Sequence, residues 1–176
     1  MKKTLTPPFI TSLSCSEEEV DRLSDIVPDD ASRNLIKQQL LADETAELEI
    51  IKKIGDPTMS LCKCISFLML DRGWKKGLDF FEKTGLHENY FQRIINDADN
   101  GMKKPTLWAI CIGLRLPLHV IIRLFKKCKF QLDPDHDPDK TYIRILELMP
   151  GMPVSVVNEL LSQCGKIDLM LGSTER

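Results

Sequence analysis

Apolar residues return every three to four positions along most of this chain, and proline, glycine or a short polar cap separates one such run from the next. Ser16-Glu17-Glu18-Glu19 reads as a capping box opening a short helix to about Val27, which Pro28 ends. Asp29 or Asp30 can cap a second helix to about Ile54. Leu35, Ile36, Leu40, Leu41, Leu48, Ile51 and Ile54 form its apolar stripe, beside Asp43, Glu44, Glu47 and Glu49. The stripe keeps no strict heptad, so packing onto a core is expected ahead of a coiled coil. Gly55-Asp56-Pro57 stops it. Further helices are predicted over 59–71, 77–84, 87–96, from Pro105 to Gly113 and onward from Pro117, followed by Lys140–Met149 and Val154–Cys164. Gly73 and Gly165 stand where left-handed caps belong. No strand is predicted, and the fold class is all-α.

Composition narrows this little: 43% hydrophobic and 28% charged residues describe an ordinary globular chain. No apolar run reaches the roughly 20 residues of a membrane span. The prolines at 7 and 8 follow two lysines with no apolar core of a signal peptide between them. Six scattered cysteines (15, 62, 64, 111, 128, 164), without a CxxC, suit buried thiols in a reducing compartment, and a cytoplasmic location is expected.

Charge changes the picture more. The net charge of −2 conceals a segregation: residues 1–58 carry 7 basic and 12 acidic side chains, 59–130 carry 13 and 6, and 131–176 carry 4 and 8. A basic centre between acidic ends suits a polyanion-binding module with partner-facing extensions, or is a chance clustering of solvated charge. The expected organisation is an N-terminal helical extension over 1–57, a central domain over 58–130 and a two-helix extension over 131–176.

Within the centre, Phe80-Phe81-Glu82-Lys83-Thr84-Gly85-Leu86 is followed by Tyr90-Phe91-Gln92-Arg93-Ile94, then Pro105-Thr106-Leu107 and Leu114-Arg115-Leu116-Pro117-Leu118. In this order the segments resemble the Cro/XRE (lambda-repressor-like) helix-turn-helix family, of bacterial or phage type, over residues 59–128. Val157-Asn158-Glu159-Leu160-Leu161 is similar to the helical tail of some members, extending the resemblance to about 165. It implies a five-helix core with helical extensions and a sequence-specific DNA-binding transcriptional regulator. The helix over 87–96 would lie in the major groove of duplex DNA, as a homodimer on half-sites about one helical turn apart.

With Phe91 and Ile94 inward, the opposite face of that helix displays Glu88, Asn89, Gln92, Arg93 and Asn96, the candidate base-reading residues. Arginine is bidentate to guanine and asparagine or glutamine to adenine, while Glu88 can accept from cytosine or repel phosphate. Lys75, Lys76, Lys103 and Lys104 are the candidate phosphate contacts. Residues 16–54 and 139–165 are the candidate surfaces for a homodimer or another protein. The alternative reading is a protein-interaction module that uses the helix-turn-helix as scaffold and binds no DNA.

Other chemistry is less well supported. Asp133, Asp135, Asp137 and Asp139 alternate as in a calcium loop, yet Pro138 and Arg144 occupy the positions an EF-hand fills with glycine and glutamate. A solvated linker is expected there. His87, His119 and His136 make no metal-ligand spacing, so no metal site is expected. No cysteine lies in a catalytic signature, and neither a phosphate-binding glycine loop nor a G-x-S-x-G elbow occurs. Neither an enzyme nor a cofactor is expected. Trp74 and Trp108 are assigned to the core.

Overall fold

A computed structural model describes residues 30–98 and 101–172, without the side chains of residues 30–33, 36, 37 and 40–44. These residues form eight α-helices and one short 3-10 turn, and no strand occurs among them. The helices are α1 (Asp30–Gly55), α2 (Leu61–Asp71), α3 (Gly77–Thr84), α4 (Glu88–Ile95), α5 (Lys104–Gly113), α6 (Leu118–Lys127), α7 (Asp139–Leu148) and α8 (Val154–Gln163). The 3-10 turn spans Ile167–Leu169. The expected helix over 16–27 and Cys15 lie outside the described residues. None of the described helices is long and apolar enough to cross a membrane.

The chain divides into two compact units, residues 1–50 and 51–176. In the first, the described part is the body of α1. Core packing was expected along its stripe, yet Leu35 and Leu48 are exposed; Ile36, Leu40 and Leu41 are among the side chains not described. In the second unit, the last turn of α1 does carry its share, with Ile54 buried and Ile51 half-buried. Lys127 donates its ammonium to the carbonyls of Ile54 (3.1 Å) and Asp56 (2.7 Å), at the carbonyl-rich end of that helix.

Helix α5 is the centre of the second unit. Proline in its first turn fixes its start, and every residue from Thr106 to Gly113 is buried, as befits a helix that is apolar all round. Around it α2 contributes Ile65, Leu68 and Met69, α3 Phe80, α4 Phe91 and Ile94, and α6 Val120, Ile121, Leu124 and Phe125. Trp108 and Trp74 are buried as expected; the Trp108 ring lies 4.6 Å from that of Phe125 and 5.2 Å from that of Tyr142.

Residues 131–172 belong to this same unit: α7 packs on α6, and α8 on α3 and α5. The aspartate run is therefore more than a solvated linker. Asp139, the first residue of α7, is 1% exposed and accepts from Trp108 Nε1 (3.0 Å), Lys104 Nζ (2.5 Å) and the Asp133 amide (2.8 Å). A buried carboxylate persists when both its oxygens find donors, and here an indole serves one oxygen and an ammonium and an amide the other.

Candidate nucleic-acid interface

The geometry of the α3–α4 turn follows from four residues. Thr84, wholly buried, donates to the Phe80 carbonyl (2.7 Å) and accepts from the Leu86 amide (3.1 Å), closing both sides of the corner with one hydroxyl. Gly85 turns left-handed at φ +69°, where a β-carbon is disfavoured, and its amide bonds the Phe81 carbonyl (2.8 Å). His87 then caps α4, its Nδ1 accepting from the Asn89 amide (3.2 Å). Behind the corner, Gly113 of α5 comes so close that a β-carbon there would stand 2.8 Å from the Lys83 carbonyl oxygen and 2.9 Å from Thr84 Cγ2.

Helix α4 emerges from this turn with two unlike faces. Phe91 and Ile94 are buried, and Glu88, Asn89, Gln92, Arg93 and Asn96 are all exposed. The structure thus brings the five candidate base-reading residues together on one side of a helix two turns long. The Arg93 guanidinium lies 5.4 Å from the Tyr90 ring centre. Glu88 turns toward the start of α3, so that a β-carbon at Gly77 would meet its Oε2 at 3.2 Å. Its carboxylate lies near the positive end of the α3 dipole, against Gly77, the residue that follows Lys75 and Lys76. Asp97, at the far end of α4, accepts from the Ser60 hydroxyl and pairs with Lys63 at 3.5 Å, tying α4 to the start of α2.

No family model, curated protein or solved structure matches this chain.

The four candidate phosphate contacts part company. Lys75 and Lys76 are exposed before α3, their backbone amides held by Asp79 Oδ2 at 3.1 Å each. Lys103 is exposed at the start of α5. Lys104 is drawn inward: its ammonium bonds Asp139 and the Gln131 carbonyl (2.8 Å), so its charge is matched within the fold. Lys103 caps α5 in extended backbone (φ −79°, ψ 153°) whereas Lys104 is its first helical residue, so the two adjacent lysines meet different environments.

Hydrogen bonding to His136 holds the Asp133 carboxyl below the usual range, and the Lys166 ammonium does the same for Asp137. Burial pushes the Cys64 and Cys111 thiols up, and that of Cys128 up to about 11. These sulfurs are held in the protonated, weakly nucleophilic form. Among the described residues no three histidine, cysteine, aspartate or glutamate side chains are grouped to hold a metal ion. Sequence reasoning missed Asp139 as a buried acceptor and missed the segment after α8, where Asn158 bonds both backbone groups of Leu171.

Proposed function

We propose that the chain is a sequence-specific DNA-binding regulator of transcription, with α2–α6 as a lambda-repressor-like helix-turn-helix core. The observation that carries this reading is the exposed row Asn89, Gln92 and Arg93 on α4 and Asn96 at its C-cap, directly after a sharp, internally bonded turn. These side chains own the donors and acceptors that discriminate base edges in the major groove. Lys75, Lys76 and Lys103, all exposed, would position the phosphates, and Lys104, turned inward onto buried Asp139, would not. Glu88 serves as a cytosine acceptor or as a partner for the α3 helix start. A cytoplasmic homodimer, joined through residues 16–54 or 139–165, would place two α4 helices on successive major grooves. The reading involves no catalytic step.

Titration of fluorescent duplex DNA at several salt concentrations tests it. Three phosphate contacts per protomer predict a fall of log K with log salt of about −3 per protomer. Undetectable binding at low salt overturns the reading. The second reading, a protein-interaction module, is favoured by one observation: Leu78 and Phe81 lie exposed one turn apart on α3. It predicts no salt-dependent DNA binding, and loss of a protein partner on Phe81→Ser.

A further inference from the structure

The chain after α8 returns to the turn that aims α4. Gly165 reverses it at φ +70°, the 3-10 turn Ile167–Leu169 follows, and Leu171 is buried at 2% exposure. Three side-chain contacts fix its path. The Tyr142 hydroxyl donates to the Leu169 carbonyl (2.5 Å). Asn158 Nδ2 donates to the Leu171 carbonyl (2.8 Å) while its Oδ1 accepts from the Leu171 amide (2.7 Å). A primary amide carries a donor and an acceptor side by side, so one side chain satisfies both backbone groups of Leu171.

What this clamp delivers is Gly172. A β-carbon on it would stand 2.6 Å from the Thr84 carbonyl oxygen and 2.8 Å from Gly85 Cα, and its φ is +72°. From the other side, a β-carbon on Gly85 would meet Gly172 Cα at 3.4 Å. Two glycine backbones thus lie against each other at the corner between α3 and α4. Helix α8, which carries Asn158, itself packs on α3 and α5, the two helices that meet at Gly113 and Thr84.

We infer that residues 167–172 form a strap that buttresses the α3–α4 turn, and that Asn158 and Gly172 are positioning residues for the exposed face of α4. Asn158 acts through Leu171 and Gly172. The consequence for DNA rests on the function proposed above, whereas the coupling of strap to turn stands on the contacts alone. Clamped, the strap blocks outward movement of the Gly85 corner. Unclamped, the corner keeps its local bonds to Thr84 and Phe81 and the α5 backbone behind it, and loses the cover on its outer side.

Native-state amide exchange on the full chain tests this, comparing wild type with Asn158→Ala, Asn158→Asp and Gly172→Ala. Gln163→Ala, a change on an exposed residue of α8, is the control. Exchange at the Gly85 and Leu86 amides is expected to accelerate about tenfold or more in Asn158→Ala, with both clamp bonds gone. Exchange at Leu124 and Phe125 in α6 stays within about twofold of wild type, as does Gln163→Ala throughout. Asn158→Asp keeps the acceptor for the Leu171 amide and falls between; together with Gly172→Ala it decides the matter should Asn158→Ala fail to fold. Equal acceleration in α6 and at the turn would reduce Asn158 to general stability, and an unchanged turn would remove the strap.

Duplex binding gives the second arm. Asn158→Ala should weaken it at least threefold with an unchanged salt slope, because the phosphate contacts remain while α4 is less firmly aimed. If wild type binds duplex and the loosened variant binds it equally well, the positioning role is overturned. If wild type binds none, the DNA reading falls, and the exchange rates alone decide the coupling.

Discussion

Replacing Asp139 with asparagine should cost this protein a large part of its stability. The carboxylate accepts three hydrogen bonds, from Trp108, Lys104 and the Asp133 amide, at 1% exposure. Asparagine has the same shape but only one acceptor oxygen. Oriented to keep Trp108, its amino group faces an ammonium and an N–H, donors against donors. Flipped, it abandons the Trp108 indole, which is wholly buried and has no water to turn to. Each charge-assisted bond contributes about 1.5–3 kcal/mol, and removing one partner of a buried ion pair costs about 3–5 kcal/mol. Lys104 is 29% exposed at its side chain and recovers some hydration, which favours the lower end, about 3 kcal/mol. Urea unfolding followed by tryptophan fluorescence should show the midpoint falling by about 1–3 M. Lys104→Met should also destabilise, and the double variant by less than the two singles together, with a coupling of about 1–3 kcal/mol. A loss below about 1 kcal/mol for Asp139→Asn, or strictly additive singles, would refute the network as the anchor of α7.

Gly113→Ala should destabilise by about 1–3 kcal/mol, because the new carbon would meet backbone at 2.8 Å and α3 must retreat from α5; an unchanged thermal midpoint contradicts the close approach. Stability should fall at alkaline pH. Burial raises Cys128 from 9.0 to about 11 and Tyr142 from 10.0 to about 12. The folded state therefore favours their neutral forms: that contribution is complete below about pH 9 and is lost as pH rises toward 11–12. Urea midpoints from pH 8 to 12 measure it, and a flat profile refutes it. Arg93→Ala should weaken binding to a specific duplex by about 1–3 kcal/mol and relax preference at one base, measured by competition with single-base variants. Equal affinity would displace the reading face from α4.

The helices themselves were legible because local rules set them. Phe91 and Ile94, three apart, orient α4 without reference to anything distant, and its polar face follows by elimination. Pro105 and Pro117 mark the starts of α5 and α6, and Gly73, Gly85 and Gly165 all adopt positive φ where a helix must stop. What escaped depends on pairs that only the fold brings together. Lys104 and Asp139 are 35 residues apart, and nothing in either segment announces the other. Lys103 and Lys104 are indistinguishable in sequence, yet one is exposed and the other spans from α5 to α7. The strap has no periodicity to read, since one buried side chain, Leu171, and backbone bonds to Asn158 hold it. Leu35 and Leu48 show the reverse failure, an apolar spacing that burial does not honour.

The contact between Gly85 and Gly172 joins points about half the chain apart, whereas the turn it covers is built from bonds between residues two to four apart. Loop closure on that scale is deferred until the intervening helices have condensed, so the two glycines should meet after the rate-limiting barrier. Changes at Gly172 would then leave the refolding arm of a stopped-flow chevron nearly untouched and steepen the loss on the unfolding side. The resting lifetime of the native state, rather than the speed of reaching it, would be what Gly172 governs.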